Sequence, residues 1–163
     1  MIVDIHTHVF DAALHFGPKL NADLVRCGVD PAVWGNVAER HLETTMAADV
    51  AIVFGLQASA TDWNIPNEMV ATHVAKAPER LLFFASVDPL QPNYMDELEK
   101  CHMQLGAVGV KLAPLYQNVH PQDPRYYDIY RYCVKHGLPI LFHAGTSFVS
   151  GTRLDYSRPV HFD

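Results

Sequence analysis

Apolar residues in this chain come in short, nearly unbroken runs, and between the runs they recur at helical spacing. The runs are Ile2 to Val9, Asp49-Val50-Ala51-Ile52-Val53-Phe54-Gly55, Arg80 to Val87, Gly109-Val110-Lys111-Leu112 and Pro139 to His143. Each has the length of a strand, and a near-continuous apolar run marks a strand covered on both faces. Between them, Asn36 to Ala48 carries Leu42 and Met46 at helical spacing. A second helix opens at Asn64-Ile65-Pro66-Asn67, with a proline where the first turn tolerates it, and runs to about Lys76. Met95 to Leu105 reads as a helix stopped by Gly106. Asp123-Pro124 starts another, which passes through Lys135 and closes at Gly137. Residues about 10–35, with Phe16-Gly17-Pro18 and Gly28-Val29-Asp30-Pro31, read as an irregular insertion.

Strands alternating with helices of this length predict βαβ units and a parallel sheet. Two architectures have that order. A doubly wound sheet usually carries a glycine-rich phosphate loop after its first strand, and here that place holds His6-Thr7-His8. A (β/α)8 barrel puts its chemistry at the carboxyl ends of its strands, where the candidate residues of this chain fall. The expected fold is therefore α/β, one partial TIM-barrel domain over 1–163 containing about the first five β/α units. A complete barrel takes ~250 residues, and this chain has 163.

Residues two apart on a strand point the same way, so Asp4, His6 and His8 leave one face of the first strand together. His143 ends the fifth. Three imidazoles at strand ends suit a divalent ion, zinc for preference, with a position left open for water. The plain alternative is that they are hydrogen-bonded rim residues.

Composition narrows the partners. Hydrophobic residues make up 49% and charged residues 18%, as in ordinary folded domains. A net charge of −6 disfavours a nucleic-acid or anionic-membrane surface. No apolar run approaches the ~20 residues of a membrane span, and no secretory leader is visible. The three cysteines, Cys27, Cys101 and Cys133, form no CxxC pair, so neither a disulfide framework nor a cysteine metal site is expected. A reduced, cytoplasmic setting follows as the expectation.

Asp4-Ile5-His6-Thr7-His8, Phe84-Ala85-Ser86-Val87-Asp88-Pro89, Gly109-Val110-Lys111-Leu112 and Leu141-Phe142-His143-Ala144-Gly145-Thr146 together resemble the amidohydrolase superfamily. The similarity is to its amidohydrolase-related branch of metal-dependent TIM-barrel hydrolases and decarboxylases. That resemblance implies His6, His8 and His143 as metal ligands. It also implies a further histidine and a proton-accepting aspartate on later strands that this sequence does not contain, so the chain is expected to be an N-terminal portion of a longer enzyme. Lys111 is a candidate for bridging two metals or facing substrate. Tyr116, Gln117, Asn118 and His120, in the loop after the fourth strand, are candidate substrate contacts. Arg153 and Arg158 could hold a substrate carboxylate. Asp88 is read as a turn residue. His15, His41, His73, His102 and His136 are expected on the surface.

Three functions remain open at this stage. The first is hydrolysis of an amide, lactone or related carbonyl by metal-activated water. The second is metal-dependent non-oxidative decarboxylation or hydration of a small carboxylic acid. The third is an inactive half-barrel or assembly module, which would need self-association or a complementing segment to cover its open edge.

Overall fold

In a computed structural model, which describes residues 1–162, the five apolar runs form one parallel sheet. Its strands are β1 (Val3–Thr7), β2 (Val50–Phe54), β3 (Leu81–Ser86), β4 (Gly109–Leu112) and β5 (Ile140–Phe142). They lie in the order β1-β2-β3-β4-β5, every neighbouring pair parallel. Chain order and spatial order coincide. A doubly wound sheet reverses at a switch point, so this is the winding of a barrel, present as a half-barrel of five strands. Asp163, the last residue of the expected domain, lies outside the described residues.

The covering layer comprises α1 (Pro18–Arg26), α2 (Ala38–Thr44), α3 (Asn67–Val74), α4 (Tyr94–Met103) and α5 (Pro124–His136). α5 shows how the sequence sets both ends of an element. Asp123 caps the start by accepting from the Arg125 N–H, Pro124 takes the first turn, and Gly137 ends the helix at φ +68°. Behind the strands, Val53, Phe83, Val110 and Leu112 meet Leu98, Ile129 and Tyr126 in one apolar core.

The structure departs from the sequence reading in three places. The segment 10–35 is not wholly irregular, because it holds α1, whose Leu20 and Leu24 are buried one helical turn apart. The helix expected over 36–48 is α2 followed by a tighter turn at Thr45–Ala47. β1 stops at Thr7 rather than Val9, after a bulge. Its register runs Val3 to Val50, Asp4 to Ala51, then Thr7 to Val53, so Ile5 and His6 stand opposite Ile52 alone.

Two histidines expected on the surface are in the core: His41 is 0% exposed and His73 2%. They lie on the inward faces of α2 and α3, hydrogen-bonded to each other. His15 and His102 are half-buried and His136 is exposed. Cys101 and Cys133 are buried, Cys27 is exposed, and all three are free thiols. Among the described residues no helix is long and apolar enough to cross a membrane.

The two outer strands are tied together at the carboxyl rim. Asp23 of α1 accepts from both the backbone N–H and the hydroxyl of Ser150, in the loop after β5. These bonds draw Asp23 below the usual carboxylate range.

Candidate metal centre

His6 comes from the bulge of β1 and His8 from the residue just past its end. The His8 Nδ1 lies 3.1 Å from the carbonyl of Phe54, the last residue of β2. A carbonyl only accepts, so Nδ1 carries the proton and the Nε2 lone pair points the other way. That lone pair faces His6, whose Nε2 is 3.3 Å off. A tetrahedral ion bound at ~2.0–2.1 Å holds its ligands ~3.3–3.4 Å apart. The pair therefore stands at the spacing of two ligands on one ion, with one ring already fixed in the tautomer an ion requires.

The Phe54 ring organises the group. His6 and His8 meet it edge-on at 5.0 and 4.5 Å between ring centres, and the Lys111 Nζ sits 4.8 Å from its centre. Partial desolvation of the ring, then the charges of Lys111 and His143, lowers His6 to about 4, with Asp4 pulling the other way. His8 falls to about 3 through burial, His6 and Lys111. Burial likewise lowers His143, and Lys111 adds to it. All three imidazoles are thus neutral at pH 7 and able to ligate.

Two further atoms in this group have no hydrogen-bond partner: the His143 Nε2 and the Lys111 Nζ. Burial brings Lys111 down to about 8. An orphaned imidazole nitrogen and an orphaned ammonium in one cluster are costly as they stand, and an ion with an anionic substrate would satisfy both. The triad is not closed, however. Among the described residues, the group of His, Cys, Asp or Glu ligand atoms lying within 4.8 Å of one another is His120, Asp155 and His161. The ligand atoms of His6, His8 and His143 therefore do not all lie within 4.8 Å of one another.

The remaining candidates divide. Tyr116 belongs to the site: it is buried, and its ring lies 4.7 Å from that of His143. Gln117 does not. It is completely buried, accepting from the Ala113 N–H and Tyr126 hydroxyl and donating to the carbonyls of Gln57 and Val87, so it has nothing left for substrate. Asn118 ends the same turn at φ +52°. His120 meets His161 edge-on at 4.6 Å between ring centres, and its Nδ1 accepts from the Gln122 N–H. That bond puts its proton on Nε2, so this neighbouring group offers one fewer lone pair to an ion than its spacing suggests. Arg153 lies over Tyr156, and Arg158 pairs with Asp155 at 3.1 Å. Neither is gathered with the histidines. Asp88 is the turn residue expected, accepting from the Ser59 and Leu90 N–H groups.

Sequence reasoning passed over Phe54 and Thr7. Thr7 carried a signal: it shares a face with Val3, Ile5 and Val9, and a hydroxyl there needs a buried partner.

The model of the amidohydrolase family matches residues 3–163. A curated relative, the gamma-resorcylate decarboxylase of a Rhizobium species, is 36% identical over 67 residues, 40% of this chain and 20% of that one. A TIM-barrel protein of Bordetella bronchiseptica superposes with a TM-score of 0.70 at 19% identity, over 99% of this chain and 60% of that one. The 5-carboxyvanillate decarboxylase of Novosphingobium aromaticivorans, solved with bound manganese, superposes at 0.62 and 15% identity, over 90% of this chain and 51% of that one. The chain thus spans half to three-fifths of these two structures and a fifth of the curated relative. It belongs to the amidohydrolase family.

Proposed function

We propose that this amidohydrolase-family chain carries the metal-binding part of an enzyme acting on a small carboxylated substrate. Non-oxidative decarboxylation is the leading reaction and hydrolysis at a carbonyl the second. The observation that carries this reading is the unopposed cation: the Lys111 Nζ, 1% exposed as a residue and without a hydrogen-bond partner, lies among three neutral imidazoles. A buried ammonium with no counter-ion is unfavourable, and a substrate carboxylate supplies the missing charge. The sequence reading gave that task to Arg153 or Arg158, but Arg158 is paired elsewhere and Arg153 lies over Tyr156. That two of the similar proteins are decarboxylases supports the leading reaction. The family description supports the second.

His6, His8 and His143 would hold the ion, zinc or manganese, since imidazoles accept several metals. When bound, it supplies Lewis acidity toward a carboxylate or carbonyl oxygen. Lys111 holds the substrate carboxylate by charge. Phe54 keeps the His6 and His8 rings and the ammonium in one cluster, and Tyr116 shields the side of His143. In decarboxylation the bond from the substrate carbon to its carboxyl carbon breaks, the electron pair stays on the substrate carbon, and a proton replaces the departing carbon dioxide.

Calorimetric titration of the purified chain with zinc and manganese tests the centre. One ion per chain is expected, with uptake lost in His6→Ala and weakened in His143→Ala. No uptake by the unaltered chain overturns the reading. Carbon dioxide release from hydroxybenzoates, set against lactone hydrolysis, separates the two reactions. Metal uptake with neither activity leaves the inactive half-barrel.

A further inference from the structure

On the face of β1 opposite the His6–His8 pair runs a line of buried polar side chains that the proposed chemistry does not use. The Thr7 hydroxyl donates to the carbonyl of Ile52 on β2 at 2.8 Å. The same oxygen lies 3.0 Å from the His41 Nε2, and the His41 Nδ1 lies 2.9 Å from the His73 Nε2. The proton positions follow from the carbonyl end. Ile52 can only accept, so Thr7 commits its single hydrogen there and must accept from His41 Nε2–H. His41 Nδ1 then holds a lone pair and accepts from His73 Nε2–H. Both rings are neutral with defined tautomers. The line ends at the His73 Nδ1, a buried acceptor without a hydrogen-bond partner.

This line grips β1 where its pairing is irregular. Ile5 and His6 oppose the single residue Ile52, and Thr7, the next residue, bonds that same Ile52. In a regular strand, residues two apart are separated by ~6.6 Å along the axis. The His6 and His8 nitrogens have nevertheless converged to 3.3 Å. A bulge re-aims the side chains it carries, and it does so reproducibly only if the backbone is held on its far side. Thr7 is the polar side chain between the two ligands, and it ties that backbone to β2 and, through His41 and His73, to α2 and α3.

We propose that His41 and His73 are positioning residues: through Thr7 they clamp the β1 bulge and thereby set the spacing of the His6–His8 ligand pair. This rests on the metal-binding reading of those two histidines. Outer partners that orient metal ligands are worth about 10–100-fold in metal affinity, and that is the size of effect expected here.

The test is cobalt titration of the full chain, followed by visible absorption, with thermal unfolding of each ion-free variant measured alongside. Thr7→Val keeps the shape and removes both hydrogen bonds, while Thr7→Ser keeps the hydroxyl. His41→Leu and His73→Leu cut the line further out. Ile129→Ala, a buried change on α5, a helix that carries no member of the line, controls for lost stability. Thr7→Val and His41→Leu should weaken cobalt binding about 10–100-fold and shift its absorption bands. Thr7→Ser should bind as the unaltered chain does, and Ile129→Ala should lose stability at unchanged affinity. Unaltered affinity and spectrum in Thr7→Val overturn the proposal while leaving the metal reading intact. No cobalt uptake by the unaltered chain overturns both. Should His41→Leu fail to fold, the contrast of Thr7→Val with Thr7→Ser decides the matter alone.

Discussion

Lys111 shows how one residue can oppose the fold and serve a site. Its ordinary pKa near 10.4 falls to about 8 in the folded chain because its surroundings desolvate it. The folded state therefore binds fewer protons than the unfolded one between pH 8 and 10.4, so stability rises as pH increases through that window. Below pH 8 the cation opposes folding by something on the order of 3 kcal/mol. Lys111→Met should accordingly raise the denaturation midpoint of the ion-free chain at pH 7 and abolish binding of a carboxylate inhibitor. A lowered midpoint would show that the charge is compensated. The histidines act in the opposite window. His6 and His41 are lowered to about 4 and His8 to about 3, against an ordinary value of 6.5. Between these values the unfolded chain takes up protons that the folded one refuses, so stability is lost as pH falls from 6.5 through 4. Denaturant titrations of ion-free protein at pH 7, 5.5 and 4.5 should show a steadily falling midpoint, and zinc should steepen the loss because protons compete for its ligands. A flat profile would contradict the desolvation of these rings. The pair His6 and His8 was legible in the sequence because the strand period states which residues share a face. The burial of His41 and His73 was not, because a histidine on a helix carries no mark of its partner until the other helix is placed.

The elements show the same division. β2 to β5 could be read from apolar runs because both faces of a parallel strand are covered. The end of β1 could not, since a bulge depends on the register of two strands 45 residues apart, as the Thr7–Ile52 bond shows. α1 was obscured by the glycines and prolines around it, although Leu20 and Leu24 carried its period. The turn Pro114–Gln117 looked like a substrate loop because polar residues after a barrel strand often are. Its glutamine is instead the knot joining the loops that follow β2 and β3 to α5. Gln117→Leu should cost about 2–4 kcal/mol by orphaning the buried groups it now satisfies, while metal uptake stays unchanged. Loss of uptake at full stability would return Gln117 to the site. β4 begins at Gly109 because a side chain there would collide with the Phe84 ring of β3. Gly109→Ala should cost about 1–3 kcal/mol by overpacking, measured by urea unfolding.

At the scale of the molecule the decisive fact is that five strands in barrel order leave two open edges. Among the described residues β1 pairs only with β2, and β5 only with β4. A barrel removes its edges by pairing its first strand with its last, whereas here Val3 and Ile5 are 43% and 56% exposed on a strand with one open edge. Unpaired N–H and C=O groups beside exposed aliphatic side chains form a template for another strand. The Asp23–Ser150 bonds draw the two ends of the half-barrel together at the carboxyl rim but leave the ladder of β1 uncovered. The purified 163-residue chain should therefore associate with itself, with β1 at the contact. Sedimentation velocity over a range of micromolar concentrations should show species heavier than a monomer. Val3→Lys, which places a charge on that edge without touching His6, His8 or the Thr7 line, should shift the distribution toward monomer and leave metal uptake as it was. A stable monomer before substitution would show that the open edge of β1 is tolerated by this fold in solution. If dissociation instead abolishes metal uptake, the neighbouring copy completes the coordination that the open triad of His6, His8 and His143 lacks.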